Sequence, residues 1–372
     1  MKTILVRQAR ARWRLAVPGA ALAVLALSLT GAAVPAGASV TGRAASSAVQ
    51  VPSPGFNRPG NILIADQFNN RVIEVDPAGH IVWQFGLGPA DVSARSIIGT
   101  NDAQRVGVFT LMAGTGIPPG VDPALPNGAV DNRVILVNPA GQIVWQYGQF
   151  GPGSSGPDQL NTPVQATWLP NGHVLITDQA NQRVIEVTLA KQIVWQYGTT
   201  GTAGSGPDQL NNPNSAELLA NGHILIADEN NNRAIEVTHD KTPSIVATFT
   251  AGGTVSGVAF ASRLPNGDTL LTDSNNSRIV EVDSGDNAVW QYFTNTDPSS
   301  NPAPLPTRAV RLKDGDTLIS DQFNDRVIEV RLDKTIERQL GTLNTPGIGG
   351  GLLNAPYDAK VIGDYTGLTP PF

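Results

Sequence analysis

The chain has no cysteine among its 372 residues, so disulfide frameworks, thiolate metal sites and thiol nucleophiles are all excluded. Histidine is scarce: His80, His173, His223 and His239 are the four copies, and none has metal-ligand spacing. No G-x-S-x-G elbow, P-loop or H-E-x-x-H occurs. Sustained 3.6-residue apolar periodicity is missing, which argues against a helical solenoid. Basic charge is short as well. The formal net charge is −6, and without residues 1–38 the chain has 20 Lys and Arg against 31 Asp and Glu. An acidic surface repels polyanions, so nucleic acid is not an expected partner.

The N-terminus reads as an export signal. Lys2, Arg7, Arg10, Arg12 and Arg14 precede an apolar, small-residue run ending in Ala36-Gly37-Ala38, a small-x-small cleavage pattern. Residues 1–38 are therefore expected to be a signal peptide, leaving no stable membrane anchor and a secreted or cell-envelope product. Residues 39–58, small, polar and Pro-containing, are expected to form a flexible lead-in. Residues 59–372 are the folded domain.

That domain repeats one phrase. It reads DQFNNRVIEVDPAGHIVWQFG from Asp66, DNRVILVNPAGQIVWQYG from Asp131 and DQANQRVIEVTLAKQIVWQYG from Asp178. It returns as DENNNRAIEV, DSNNSRIVEV and DQFNDRVIEV from Asp228, Asp273 and Asp321. Each copy carries an Arg (Arg71, Arg133, Arg183, Arg233, Arg278, Arg326), and neighbouring copies lie roughly fifty residues apart, a whole supersecondary unit. Within a unit, runs rich in Val, Ile, Thr and aromatics alternate with turns such as Asn171-Gly172 and Asn221-Gly222, which suit hairpins. Four short antiparallel strands per unit predict an all-β, six-bladed β-propeller. The first unit lacks an inner strand, and LNAPYDAKVIGD from Leu353 matches the inner strands that begin LNTP and LNNP. The C-terminal strand is thus expected to join blade 1 and close the ring, with nothing after it. Ala166, Ala216, Ala261, Ala309 and Ala359 share one register there, small enough for strands converging on an axis.

Blocks such as GPGSSGPDQLNTP…PNGHVLITDQANQRVIEV resemble NHL repeats, a six-bladed propeller family, over nearly the whole domain. The IVWQYG strands also resemble pyrroloquinoline-quinone-type and arylsulfotransferase-like propellers. The resemblance implies the fold; propellers host many unrelated activities.

The repeated residues read as framework. Asp66, Asp178, Asp228, Asp273 and Asp321 are expected to cap turn N–H groups and to pair with Arg71, Arg183, Arg233, Arg278 and Arg326. In blade 2, Gly128 stands where Asp is expected, and Leu136 replaces the Glu of the other blades (Glu74, Glu186, Glu236, Glu281, Glu329). An Asn or Asp two residues before each Arg suits a left-handed turn position. Trp83, Trp145, Trp195 and Trp290 read as blade packing, and the four His as exposed turn residues. Asp314-Gly315-Asp316 is shorter than an EF-hand loop, and no metal or cofactor is assigned.

Function is sought where the repeat breaks. TGIPPGVDPALPNGAV from Thr115 replaces a short turn in blade 2 and is a candidate lid or recognition loop. Diverse polar residues at the starts of inner strands, Gln165, Asn214, Arg308, Tyr357 and Asp358, with Ser93 and Phe260, are the ligand-contact candidates near the axis. Arg308 and Asp358 come from adjacent blades and are placed to pair. The expected activity is binding of a protein, peptide or glycan on the loop face by a monomer with no catalytic residues. The alternative is a propeller-type lyase, hydrolase or arylsulfotransferase-like enzyme at the central channel. A bound quinone is a third, resting on Trp168, Arg263, Arg308 and Arg311.

Overall fold

The computed structural model describes residues 52–371; the expected signal peptide lies outside them. Six sheets of four antiparallel strands form the ring. Blade 3 runs outward from the axis as Pro163–Trp168, Val174–Asp178, Arg183–Val187 and Ile193–Tyr197. In blade 1 the inner strand is Pro356–Val361, which pairs with Ile62–Asp66, so the two ends of the domain close the ring as expected. No helix among the described residues is long and apolar enough to cross a membrane. Residues 52–58 of the expected lead-in dock on the ring instead of trailing from it. Phe56 packs on Trp83, and the Asn57 N–H donates to Glu74.

In blade 3 the middle strands are buried along their whole length, because each blade face packs on a neighbouring blade, while the outer strand is largely exposed on one face. The core is accordingly divided among the seams. Val134, Leu160 and Ile176 pack between blades 2 and 3, for example, and Tyr197, Ile224 and Ile235 between blades 3 and 4. Each fully buried aliphatic side chain contributes about 1.5–3 kcal/mol.

The Asp–Arg unit is seen in blade after blade. In blade 3 Asp178 ends the second strand, Gln179–Asn181 makes a single 3-10 turn, and Gln182 takes the left-handed conformation (φ 59°). Asp178 Oδ2 accepts from Asn181 Nδ2 and Arg183 Nε at 2.8 Å each, and Oδ1 accepts the Asn161 N–H at 2.8 Å. One carboxylate thus closes the turn, holds the Arg and anchors the start of the inner strand. Burial pushes Asp66, Asp178, Asp228 and Asp321 above the ordinary carboxylate range, and their Arg and Asn partners pull the other way.

Three sequence expectations shift. The left-handed residue directly precedes the Arg (Asn70, Asn132, Gln182, Asn232, Ser277, Asp325), one position later than expected. The earlier Asn is instead a donor to the Asp. The carboxylate of blade 2 is displaced, not lost. Gly114, not Gly128, stands opposite Arg133, and Asp131 reaches into the space its side chain would fill. From there Asp131 pairs with Arg133 and accepts the Ile98 N–H, the same two duties. Blade 6 breaks one bond of the set: Pro304 stands where Asn161 stands in blade 3 and has no N–H to give, so Asp321 Oδ1 lacks that bond.

Asp178→Ala is expected to cost about 3–5 kcal/mol in urea unfolding, as for one partner removed from a buried pair. Gly114→Asp should destabilise alone and recover when combined with Asp131→Asn, which recreates the sibling pattern. A Gly114→Asp chain as stable as the parent would refute the displaced-carboxylate account.

Candidate functional site

The inner edges of the six sheets meet at the axis, where their backbone N–H groups have no strand to pair with. Side chains of the neighbouring blade take that place. Asp358 Oδ2 accepts from the Ala103 N–H, Asp102 Oδ2 from Ala166, Gln165 Oε1 from Ala216 and Ser215 Oγ from Ala261. The acceptor is always the residue just before the small Ala of its own strand. Phe260 and Arg308 hold that position in blades 5 and 6 and cannot accept. They stack on each other instead, with the guanidinium 4.3 Å from the ring centroid.

The sequence candidates are therefore brought together, and they are spent on one another. Arg308 Nε donates to Asp358 at 3.1 Å and Nη2 to Asp102 at 3.2 Å. Lys360 joins both carboxylates, at 2.7 Å from Asp102. Gln165 Nε2 donates to Glu217, and Asn214 bonds Glu229 and the Tyr357 hydroxyl. All five candidates are at most 3% exposed. Burial, helped by Asp358 and resisted by Lys360 and Arg308, pushes Asp102 up to about 6. Burial acts on Asp358 too, but Lys360 and Arg308 outweigh it and hold its carboxyl low.

Ser93 is not at the axis; it lies in a loop, bonded to Asp91. The inner strand of blade 2 is Thr100–Val106, which brings Asp102 and Gln104 to the axis and turns Arg105 into the seam with blade 1. Sequence reasoning missed it because Thr100 replaces the marker Pro. Ala103, in the register of the other five Ala residues, was the available signal.

Both mouths of the channel are covered. On the loop face, Ile117 and Val121 of the blade 2 insertion pack with Phe68, Phe323 and Leu305 from blades 1 and 6. At the opposite mouth lies the tail that follows the last strand. Thr369 N–H and Oγ1 donate to Glu217 Oε2, and Thr369 Oγ1 accepts the Leu218 N–H. In blade 2 the matching acceptor is Gln104, which serves the Trp168 N–H; the shorter Thr167 of blade 3 leaves that task to the tail.

Side-chain latches tie the blades together farther out. Trp83, Trp145, Trp195 and Trp290 each donate the indole N–H to a backbone carbonyl of the next blade, at 2.9–3.1 Å. Arg338, in the same register, does so between blades 6 and 1. Glu of one blade pairs with the last inner-strand Arg of the next in Glu74–Arg105, Glu236–Arg263 and Glu281–Arg311. Two of the Arg residues considered for a quinone are thus engaged in seams. Where the Arg is replaced by Trp168, the Glu is replaced by Leu136, and the two pack in one cluster. Between blades 3 and 4 imidazoles take the place of the guanidinium. His173 Nδ1 and His239 Nε2 bracket Glu186 at 2.5 and 2.6 Å, so neither is a free turn residue. Among the described residues Glu329 has no ion-pair partner in the next blade, only Arg338 opposite it in its own sheet. Asp314 and Asp316 instead put ligand oxygens within 4.8 Å of it and of each other, and burial together with their charge pushes Glu329 up.

One open groove on the loop face, of about 400 Å³, lies between the insertion and the turns of blades 3 and 4; a second, of about 370 Å³, lies on the insertion's other side against Val92 and Phe150. In the first, Ile117, Pro118, Pro119, Ala129 and Val130 form one wall; Asn161, Gln179, Gln182 and Asn212 form the other.

No protein-family model matches the chain, and no curated protein is similar to it in sequence. Solved structures do superpose on it. A protein of unknown function from Bacteroides caccae gives a TM-score of 0.54 at 14% identity over 80% of this chain and 98% of that one. Streptogramin B lyase gives 0.51 at 14% identity over 77% and 81%. At these identities the likeness establishes the β-propeller fold alone.

The Glu186 seam yields a pH prediction. Burial pushes this carboxyl up, but bonds from His239, His173 and Asn171 outweigh it and hold it at about 2. Its unfolded value is about 4.3. A depressed carboxylate stabilises above its unfolded value, and that share is lost as pH falls through the folded value. The Tm gap between parent and Glu186→Gln should be widest above about pH 4.5 and should shrink towards pH 2. A gap that widens on acidification would contradict the assignment.

Proposed function

We propose that this is an exported, NHL-like binding propeller that recognises a protein, peptide or glycan on its loop face. The observation carrying the reading is the state of the axis. Its charged residues pair with one another, Arg308 Nη1 excepted, and its mouths are covered by the blade 2 insertion and the C-terminal tail. The groove beside the insertion is open and within the ligand-pocket range of roughly 300–1,000 Å³. The mature acidic chain is suited to uncharged or basic partners.

A second reading places a reaction centre at the axis. It is favoured by Asp102, whose carboxyl sits at about 6, and by Arg308 Nη1, which has no partner among the described residues. The two readings differ in access. Carbodiimide labelling of the native protein at pH 6, read by peptide mass spectrometry, is expected to modify surface carboxyls and spare Asp102, Asp358 and Glu217. Labelling of Asp102 at the surface rate would overturn the closed-axis reading. Residues 115–130 can also be replaced by the short turn of blade 3. On peptide and glycan arrays, that variant should lose at least tenfold in affinity for whatever the parent captures, with its unfolding midpoint showing that it still folds. Unchanged capture by the folded variant would remove the loop face as the site.

A further inference from the structure

The two walls of the groove differ in chemistry, and the difference selects a ligand. None of its lining residues is charged. A charged ligand group entering it would lose water without gaining a counter-ion, which is costly. None is aromatic either, so the groove has no flat π-face on which a sugar ring would stack. The insertion wall is aliphatic and proline-rich. The blade wall is a set of carboxamides, and each carboxamide carries the same donor and acceptor pair as a peptide group.

Several of those amide groups are uncommitted. Gln182 and Asn212 bond each other and tie blade 3 to blade 4, which fixes the wall. Among the described residues, however, the Gln179 carboxamide makes no side-chain hydrogen bond, and the Nδ2 groups of Asn161 and Asn212 donate to no protein acceptor. The Asn161 carboxamide lies directly over Gly153, where any Cβ would overlap it, so its place depends on that glycine. Donors and acceptors held on one wall, facing an aliphatic wall, match an extended backbone with small apolar side chains.

We propose that the groove binds an extended, uncharged peptide segment, its backbone amides on Gln179, Asn161 and Asn212 and its aliphatic side chains against Ile117, Pro118 and Val130. This rests on the loop-face reading and narrows its ligand class. Removal of two carboxamides that each make a neutral hydrogen bond should weaken binding by about tenfold or more.

The test uses the full mature protein on an array of N-acetylated, C-amidated octapeptides free of charged residues. Matched arrays carry Glu or Lys substitutions, and a panel of neutral oligosaccharides runs beside them. The uncharged peptides should be retained, Glu and Lys versions should bind more weakly, and added salt should change little. Gln179→Ala/Asn212→Ala should reduce retention about tenfold. Gly153→Ala, which displaces Asn161 without removing it, should also reduce it and keep the parent's unfolding midpoint, while Gln179→Ala/Asn212→Ala, which also loses the Gln182 Nε2–Asn212 Oδ1 bond, should still unfold cooperatively. If oligosaccharides bind, and the groove substitutions weaken them, the peptide class is wrong while the loop-face reading stands. If peptides bind but neither the groove substitutions nor the shortened insertion matters, both fail. Retention of none of the uncharged peptides overturns the proposal.

Discussion

Everything in this molecule depends on how the inner edge of each blade is satisfied. A four-stranded sheet has two edges, and in a closed ring one of them is buried at the axis, where water cannot serve its N–H groups. The solution is a relay. A side chain in the inner strand of one blade accepts the Ala N–H of the next, as Asp358, Asp102, Gln165 and Ser215 do in succession. Two of these acceptors are carboxylates, and they bring Arg308 and Lys360 with them as counter-charges. A polar, diverse and convergent set of residues thus arises from a backbone requirement, without any ligand.

The seams solve a second problem, how to fix the angle between blades that share no strand. Three use Glu–Arg pairs, one sets the His239 imidazole on Glu186, and one is apolar. The solutions vary in pairs: a change on one blade is met by a change on its neighbour, as with Leu136 and Trp168. On the loop face the left-handed residue of each turn adds a further tie. The side chains of Asn70, Asn132, Gln182, Asn232 and Asp325 accept a backbone N–H from the next blade. Ser277 is too short to do so, and blade 6 also loses the Pro304 N–H. The blade 5–6 region therefore carries fewer polar ties than its siblings, while the groove lies against the better-tied blades 3 and 4. A rigid wall opposite an insertion is a sound basis for recognition.

The repeat made the fold legible. Strand identity, blade count, closure by LNAPYDAKVIGD and the Asp–Arg pairs all follow from periodic residues whose role is the same in every copy. Errors fell where a copy departs from the pattern. Thr100 concealed the inner strand of blade 2, and Gly114 with Asp131 hid a carboxylate that had moved to a neighbouring position. The ligand candidates were legible as a convergent group, but not as a group already engaged internally, because their partners belong to other blades: Gln165 serves the Ala216 N–H, Asp358 the Ala103 N–H 255 residues away in sequence, and Asn214 the Tyr357 hydroxyl.

By itself, then, the sequence determined the strands, the turns, the ring and the places where the ring is irregular, because each is written in local residue types and their period. Tertiary structure alone decided which irregularities are open to solvent. It buried Gln165, Asn214, Arg308, Tyr357 and Asp358 between blades, folded Thr369 under Glu217, and left Asn161, Gln179 and Asn212 facing the insertion across a groove. The reason is physical: whether a polar side chain is spent or free depends on which buried backbone groups meet it, and those meet only when the ring closes.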